Sequence, residues 1–272
     1  MKLGVIISLS DTIEEKLERV RQFGLGTCQL DCWDKTLFTP AMAERVKNAA
    51  QQRGIEITAL WCGWEGPAIW DFLQGPLTLG LVPVTYRYER AKTLMLGADF
   101  AAWMGVRDMV THVGFIPENP NDPEYAALIS TLGYIVRHCA RRGVNFLFET
   151  GQETPVTILR AIEDLGMDNI GINLDPANLI LYGKANPVDA LDVFGQYVKG
   201  VHAKDGIYPT NGRKLGEEVA LGQGKVNFPR LVARLKELGY DGALTIEREI
   251  SGPEQEQDIR SAIAQLSALI AA

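Results

Sequence analysis

Phe146-Leu147-Phe148-Glu149 is a short, apolar, β-rich run that ends on a carboxylate. Three further runs have the same design: Ile172-Asn173-Leu174-Asp175, Tyr197-Val198-Lys199-Gly200-Val201-His202 and Ala243-Leu244-Thr245-Ile246-Glu247. Each closes on a residue able to bind a metal, giving three carboxylates and one imidazole. The closing residues are 26, 27 and 45 positions apart (149 to 175, 175 to 202, 202 to 247). Such an interval is about the length of a strand, a loop, a helix and a loop, with the last one enlarged. If the four runs are neighbours in one parallel sheet, their end groups converge on a single point.

Outward from these runs, strand and helix signals alternate along the whole chain. Strands are predicted at Leu3–Ser8, Thr27–Asp31, Glu56–Trp61, Arg107–His112, Asn145–Glu149, Asn169–Asp175, Tyr197–His202 and Ala243–Glu247. Helices fit at Asp11–Phe23, Pro40–Arg53, Tyr86–Met104, Pro123–Arg142, Pro155–Leu165, Pro187–Phe194, Phe228–Leu238 and from about Glu254 to Ala271. Eight βα units favour a (β/α)₈ barrel, an α/β TIM barrel, over an open doubly wound sheet. Ile6-Ile7-Ser8-Leu9-Ser10-Asp11 also lacks the glycines of a dinucleotide fingerprint. In a barrel the strand C-termini gather on one face, where catalytic residues are drawn from several strand ends. A chain of 272 residues suits one such barrel, so residues 1–272 are expected to form a single domain.

The net charge is −7 and the pI about 5.1, which gives no overall electrostatic footprint for nucleic acid. Cys28, Cys32, Cys62 and Cys139 lack paired metal-finger spacing, so free thiols in a reducing cytoplasm are expected. The N-terminus runs directly into a strand pattern with no signal-peptide design. No stretch approaches the roughly 18 apolar residues of a membrane span. The expectation is a cytoplasmic protein with a small-molecule partner and neither nucleic acid nor membrane as a target; a homo-oligomer is compatible with it.

Three carboxylates and a neutral imidazole form a mostly hard donor set. It suits one divalent ion, Mn²⁺ or Mg²⁺ first, with Co²⁺ or Zn²⁺ able to compete. A divalent ion that chelates a carbonyl and an adjacent hydroxyl polarises the C=O and stabilises the enediolate formed when the neighbouring C–H is deprotonated. Carboxylates on either side of the substrate then serve as base and acid. Two long connections flank the expected mouth. Cys62–Thr85 carries Trp64, Trp70 and Phe72, which either stack on a sugar ring or pack the loop onto its own barrel. Asp205–Asn227 is Gly-rich, and Lys204 and Asp205 put polar reach near the metal. His112 closes the fourth strand and faces the same mouth, whereas His138 lies in a helical run and reads as structural.

Glu149, Asp175, His202 and Glu247, together with Val201-His202-Ala203-Lys204-Asp205 and Leu221-Gly222-Gln223-Gly224 before Val226-Asn227-Phe228, make the chain resemble the sugar phosphate isomerase/epimerase family. These are xylose-isomerase-like barrels that include ketose 3-epimerases and inosose dehydratases. The resemblance covers essentially the whole chain. It implies that the four strand-end residues ligate the metal and that Glu149 and Glu247 are the catalytic acid and base of a sugar isomerase or epimerase. Substrate contacts are expected from His112, Asn178, Lys204, Asp205 and Trp64. Asn178 stands where ketose 3-epimerases have a histidine, and Tyr208 where they have an arginine. The substrate is therefore open to a polyol, an oxidised glycoside or a sugar acid derivative, and no segment reads as a phosphate cradle. The same site can instead eliminate a β-substituent, as a lyase or dehydratase, or belong to an accessory sugar-binding subunit. A trinuclear DNA-repair endonuclease of related fold needs more histidines than His112, His138 and His202.

Overall fold

A recurrent dipeptide sets the rhythm of the chain. Thr39-Pro40, Asp122-Pro123, Thr154-Pro155, Asp175-Pro176 and Asn186-Pro187 each place a capping oxygen before a proline with a helix-compatible φ. The side chain accepts a hydrogen bond from a first-turn N–H, and proline fills the position whose N–H needs no partner. Helices α1 (Ile13–Gln22), α2 (Pro40–Gln52), α3 (Gly75–Thr78), α4 (Val84–Met104), α5 (Pro123–Arg141), α6 (Pro155–Leu165), α7 (Pro176–Leu181), α8 (Pro187–Phe194), α9 (Phe228–Glu237) and α10 (Pro253–Ala271) alternate with the strands.

The computed structural model describes residues 1–272. Eight parallel strands close into a barrel: β1 (Lys2–Ser8), β2 (Thr27–Cys32), β3 (Glu56–Cys62), β4 (Asp108–Thr111), β5 (Asn145–Glu149), β6 (Ile170–Leu174), β7 (Val198–Ala203) and β10 (Ala243–Ile246). Their spatial order is their chain order, and β10 pairs with β1 to close the ring. The remaining strands, β8 (Asp205–Ile207) and β9 (Glu217–Val219), form an antiparallel hairpin inside the long connection after β7. The expected fold is thus observed, with short elements added. The hairpin, the one-turn α3 and the six-residue α7 were not expected, because each is too short to show periodicity.

Alternation along the strands divides the core in two. Phe146 and Phe148 of β5 point outward into a cluster of 63 buried residues between strands and helices. Leu147, one position away, joins Ala59, Trp61, Trp64, Leu79 and Val110 in a small inner cluster. Residues sharing the parity of Leu147 face the barrel axis, and Glu149 is the next of them. A close backbone crossing anchors the aromatic loop after β3: Leu81 N donates to Val113 O at 2.7 Å. A Cβ on Gly80 would lie 2.0 Å from Val113 O, and one on Gly114 2.3 Å from Leu79 O. Both glycines also have positive φ, so the crossing admits no larger residue.

Candidate metal centre and substrate cavity

Glu149 ends β5, Asp175 caps α7 directly after β6, His202 lies within β7 and Glu247 follows β10. One donor atom from each lies within 4.8 Å of the other three. His202 Nδ1 is 3.0 Å from Glu149 Oε1, 2.9 Å from Glu247 Oε2 and 3.8 Å from Asp175 Oδ2. His202 and Asp175 are fully buried, Glu149 is 2 % exposed and the Glu247 side chain 15 %.

The second oxygen of two of these carboxylates is already committed. Asp175 Oδ1 accepts from Asn178 N at 2.9 Å, and Glu149 Oε2 accepts from Trp61 Nε1. Thr150 hydroxyl both donates to Asp175 O and accepts from Asp175 N, each at 2.8 Å, tying the β5 and β6 ends together. What is left over is telling: Asp175 Oδ2, His202 Nδ1 and Glu247 Oε2 are buried without a hydrogen-bond partner. Orphaned buried polar atoms are costly and need a partner. Ligands about 2.0–2.4 Å from one centre are at most about 4.8 Å apart, which this cluster satisfies. Charge agrees. Lys204, 2 % exposed, has Nζ 3.5 Å from Asp175 Oδ2 and 3.6 Å from Glu247 Oε2 and is paired with Glu249. The carboxylates outnumber the one buried ammonium, and a divalent ion offsets the excess negative charge. The residues present fit such an ion.

The four donors also shift one another's ionisation. Burial opposes ionisation of His202, but Glu149 and Glu247 raise its pKa well above the ordinary imidazole value. Burial likewise works against a charged Glu247, yet Lys204 and His202 hold it far below the usual carboxylate range. For Asp175 burial wins over Lys204, and its pKa is raised.

Above the four donors opens a cavity of about 500 Å³, lined among others by Asp31, Trp33, Trp61, Trp70, His112, Glu149, Asn178, Tyr182, Glu247 and Arg248. Trp33 and Trp70 stand edge to face at 6.4 Å, and Trp70 lies 5.1 Å from His112. His112 Nε2 is 3.8 Å from Glu149 Oε1 and its Nδ1 has no partner. Arg90 holds the aromatic wall in place. Its guanidinium donates to the carbonyls of Glu65, Pro67, Thr78 and Gly80 at 2.7–3.0 Å and stacks 4.6 Å from the Tyr86 ring.

Three residues expected to touch substrate do not line this cavity: Lys204, buried beneath it against Asp175, Glu247 and Glu249, and Trp64 and Asp205. Trp64 is 2 % exposed and packs behind Trp61 and Trp33 in the inner cluster. Its indole supports the wall, and Trp33 and Trp70 form the surface. Asp205 has the opposite parity to His202 and Lys204 and turns away. Its carboxylate accepts from the backbone N–H of Gly206, Gly222, Gly224 and Val226 at 2.9–3.1 Å, which fastens the hairpin to the Gly-rich loop. Asn178 lines the cavity, and Lys204 reaches its Oδ1 at 3.4 Å. Asp31 lay unremarked at the end of the second predicted strand, where the same strand-end rule points to it. It takes a 2.7 Å hydrogen bond from Ser8, while burial and the neighbouring Glu247 raise its pKa. His138 is bound to Asp99 at 2.7 Å in the helical layer, as a structural residue should be.

The family model for the xylose isomerase-like TIM barrel matches residues 17–269, and the chain belongs to that family. A xylose isomerase domain protein from Planctomyces limnophilus has 35 % sequence identity and a TM-score of 0.93, over 98 % of this chain and 96 % of that one. The uncharacterized protein MJ1311 of Methanocaldococcus jannaschii is 31 % identical over 92 % of this chain and 84 % of its own length. The 3-keto-D-glucoside 4-epimerase YcjR of E. coli shares the fold at a TM-score of 0.71 and 19 % identity, over 98 % of this chain and 99 % of that one. Sugar epimerases and a dehydratase recur among the barrels of this fold. No helix is long and apolar enough to cross a membrane.

Proposed function

We propose that the protein is a divalent-metal-dependent isomerase or epimerase of a sugar or sugar derivative, acting by proton abstraction next to a carbonyl. The observation that carries this is the convergence of four strand-end donors, three of them with buried unpartnered atoms, on the floor of a cavity. Mg²⁺ or Mn²⁺ fits the donor set best. When bound, such an ion supplies the positive charge that acidifies the C–H beside a chelated carbonyl.

The chain's own groups complete the chemistry. Glu149 and Glu247 both line the cavity, so one accepts the substrate proton and the other returns a proton. Trp61 fixes the Glu149 carboxylate by occupying Oε2, which leaves Oε1 directed to the centre. His112 and Asn178, which line the cavity, offer hydrogen bonds to substrate oxygens, Lys204 supports Asn178 from below, and the tryptophan wall excludes water and covers the apolar face of a ring. Elimination of a β-substituent after the same deprotonation makes the site a lyase, and the mix of epimerases and a dehydratase among proteins of this fold keeps that outcome open to test.

Protein reconstituted with Mn²⁺ or Mg²⁺ and incubated in D₂O with a panel of ketoses, inososes and 3-oxo-glycosides should incorporate deuterium at one carbon of one substrate class. The product then separates epimerisation from elimination. Metal-loaded protein that exchanges no C–H in any of them would overturn the proposal.

A further inference from the structure

The imidazole of His202 has two nitrogens with different neighbours. Nδ1 faces the carboxylates and has no hydrogen-bond partner, whereas Nε2 lies 2.6 Å from Oε1 of Gln29 on β2. Gln29 is 2 % exposed and shares the inward parity of β2. Its other end is also held: Nε2 of Gln29 donates to Asn173 Oδ1 on β6 at 3.4 Å. With the amide nitrogen donating to Asn173 Oδ1, the amide oxygen faces His202. An oxygen there can only accept, so Nε2 of the imidazole carries a proton, and Nδ1 is the nitrogen whose lone pair is available to an ion. Space for this relay comes from Gly200. A Cβ at that position would lie 2.4 Å from Asn173 Oδ1, so any larger residue would push Asn173 out of place.

From this chain we infer that Gln29 is the positioning residue of the metal centre: held by Asn173 over Gly200, it fixes the tautomer and ring orientation that direct His202 Nδ1 at the ion. The inference rests on the metal reading above and deepens it. Neutral outer groups of this kind orient a ligand histidine, and their loss typically weakens metal binding about 10- to 100-fold. Gln29 also lines a second cavity at the opposite end of the barrel, together with Thr58, Asp108, Lys199 and Thr245 among others. A truncation to alanine would enlarge that cavity up to His202 and admit water beside it, so the informative variants keep the side-chain volume.

Gln29→Met fills the space without an acceptor, and Gln29→Glu restores one. Asn173 Nδ2, buried and unpartnered, can meet the new carboxylate by an amide flip. Mn²⁺ affinity measured by chelator competition should fall about 10- to 100-fold in Gln29→Met and stay near the parent value in Gln29→Glu, with thermal unfolding of the metal-free proteins reporting fold separately. In a His202→Ala background, Gln29→Met should cause no further loss, because the residue it orients is gone. Equal loss in Met and Glu variants, or a full additional loss in the His202→Ala background, would make Gln29 a packing residue and overturn the inference. A parent protein that binds no Mn²⁺ would sink the metal reading instead, and parent binding with an unaffected Gln29→Met variant would sink this inference alone.

Discussion

Strands β5, β6, β7 and β10 run in the same direction and end at the same mouth as β1 to β4, yet the two half-barrels present opposite surfaces. The first group delivers Glu149, Asp175, His202, Glu247 and, just beyond, Lys204. The second delivers Trp33, Trp61 and His112, with Trp70 from the loop after β3, and only Asp31 among its charges. One half concentrates charge and the other concentrates aromatic area. Electrostatics and water exclusion reinforce each other across such a boundary, because a charge acts more strongly on a developing oxyanion when its far side is dry. Trp61 joins the halves, since its indole N–H is bound to Glu149.

The largest effects should come from the charged half. Glu149→Gln and Glu247→Gln are each expected to lower turnover by about 10² to 10⁴, more where metal is also lost, because an amide of the same shape accepts no proton. The variant lacking the first base should lose solvent deuterium exchange, whereas the one lacking the second retains it at the deprotonated carbon. Should either variant keep its metal and near-parental turnover, Lys204 or His112 would have to supply the acid or base. Asp205, consumed by four backbone N–H groups, could not.

His202→Ala should weaken metal binding by at least tenfold, the order seen for loss of an outer partner alone, while circular dichroism and the metal-free unfolding temperature show an intact barrel. The side chain sits at the mouth, above the packed layers. An unfolded variant whose residual folded fraction retains full metal content would make His202 a structural residue and erase the division between the halves.

A third prediction concerns what the charged half costs in stability. Glu153, in the loop after β5, is 1 % exposed with Oε2 unpartnered, and burial pushes its pKa up from 4.5 to about 8. Between those values the folded state holds a proton that the unfolded state has released, so stability falls as pH rises through the window and levels off above it. The slope from this group is at most about 1.4 kcal/mol per pH unit. Glu153→Gln should therefore be more stable than the parent at pH 8, about equal near pH 4, and flatter in between; unfolding profiles that superimpose at every pH would show that Glu153 ionises freely in the fold.

The smallest effects are expected from the aromatic half. Trp33→Ala and Trp70→Ala remove single ring contacts worth about 0.5–1.5 kcal/mol beyond area, so KM should rise roughly two- to tenfold with metal affinity unchanged. A loss of metal in either variant would show that the two halves are coupled more tightly than the contacts imply.

Much of this division was legible in the chain before folding, and the misses are specific. The βα rhythm, the capped prolines and the strand-end donors are local or periodic signals. Parity continued past the end of β7 even contained the answer for Asp205, three positions after the inward His202 and so on the outer side. Trp64 had no such rule, because it follows the end of β3 and its direction is set by Arg90, Trp33 and the Gly80–Gly114 crossing. The six-residue α7 turned Asp175 from a strand residue into a helix cap, which commits one of its oxygens before any metal arrives.

By itself the sequence determined the class of fold and the chemical type of the donors, since periodicity, caps and residue identity act over a few positions. Only the closed barrel decided which tryptophans meet the cavity, how Lys204 sets the charge balance, and that Gln29 stands behind His202. Those depend on contacts between residues as much as 173 positions apart and on the register shift between β6 and β7 at Ile172/Asn173. A one-residue slip turns an inward side chain outward, and no local pattern in the chain encodes where such a slip falls.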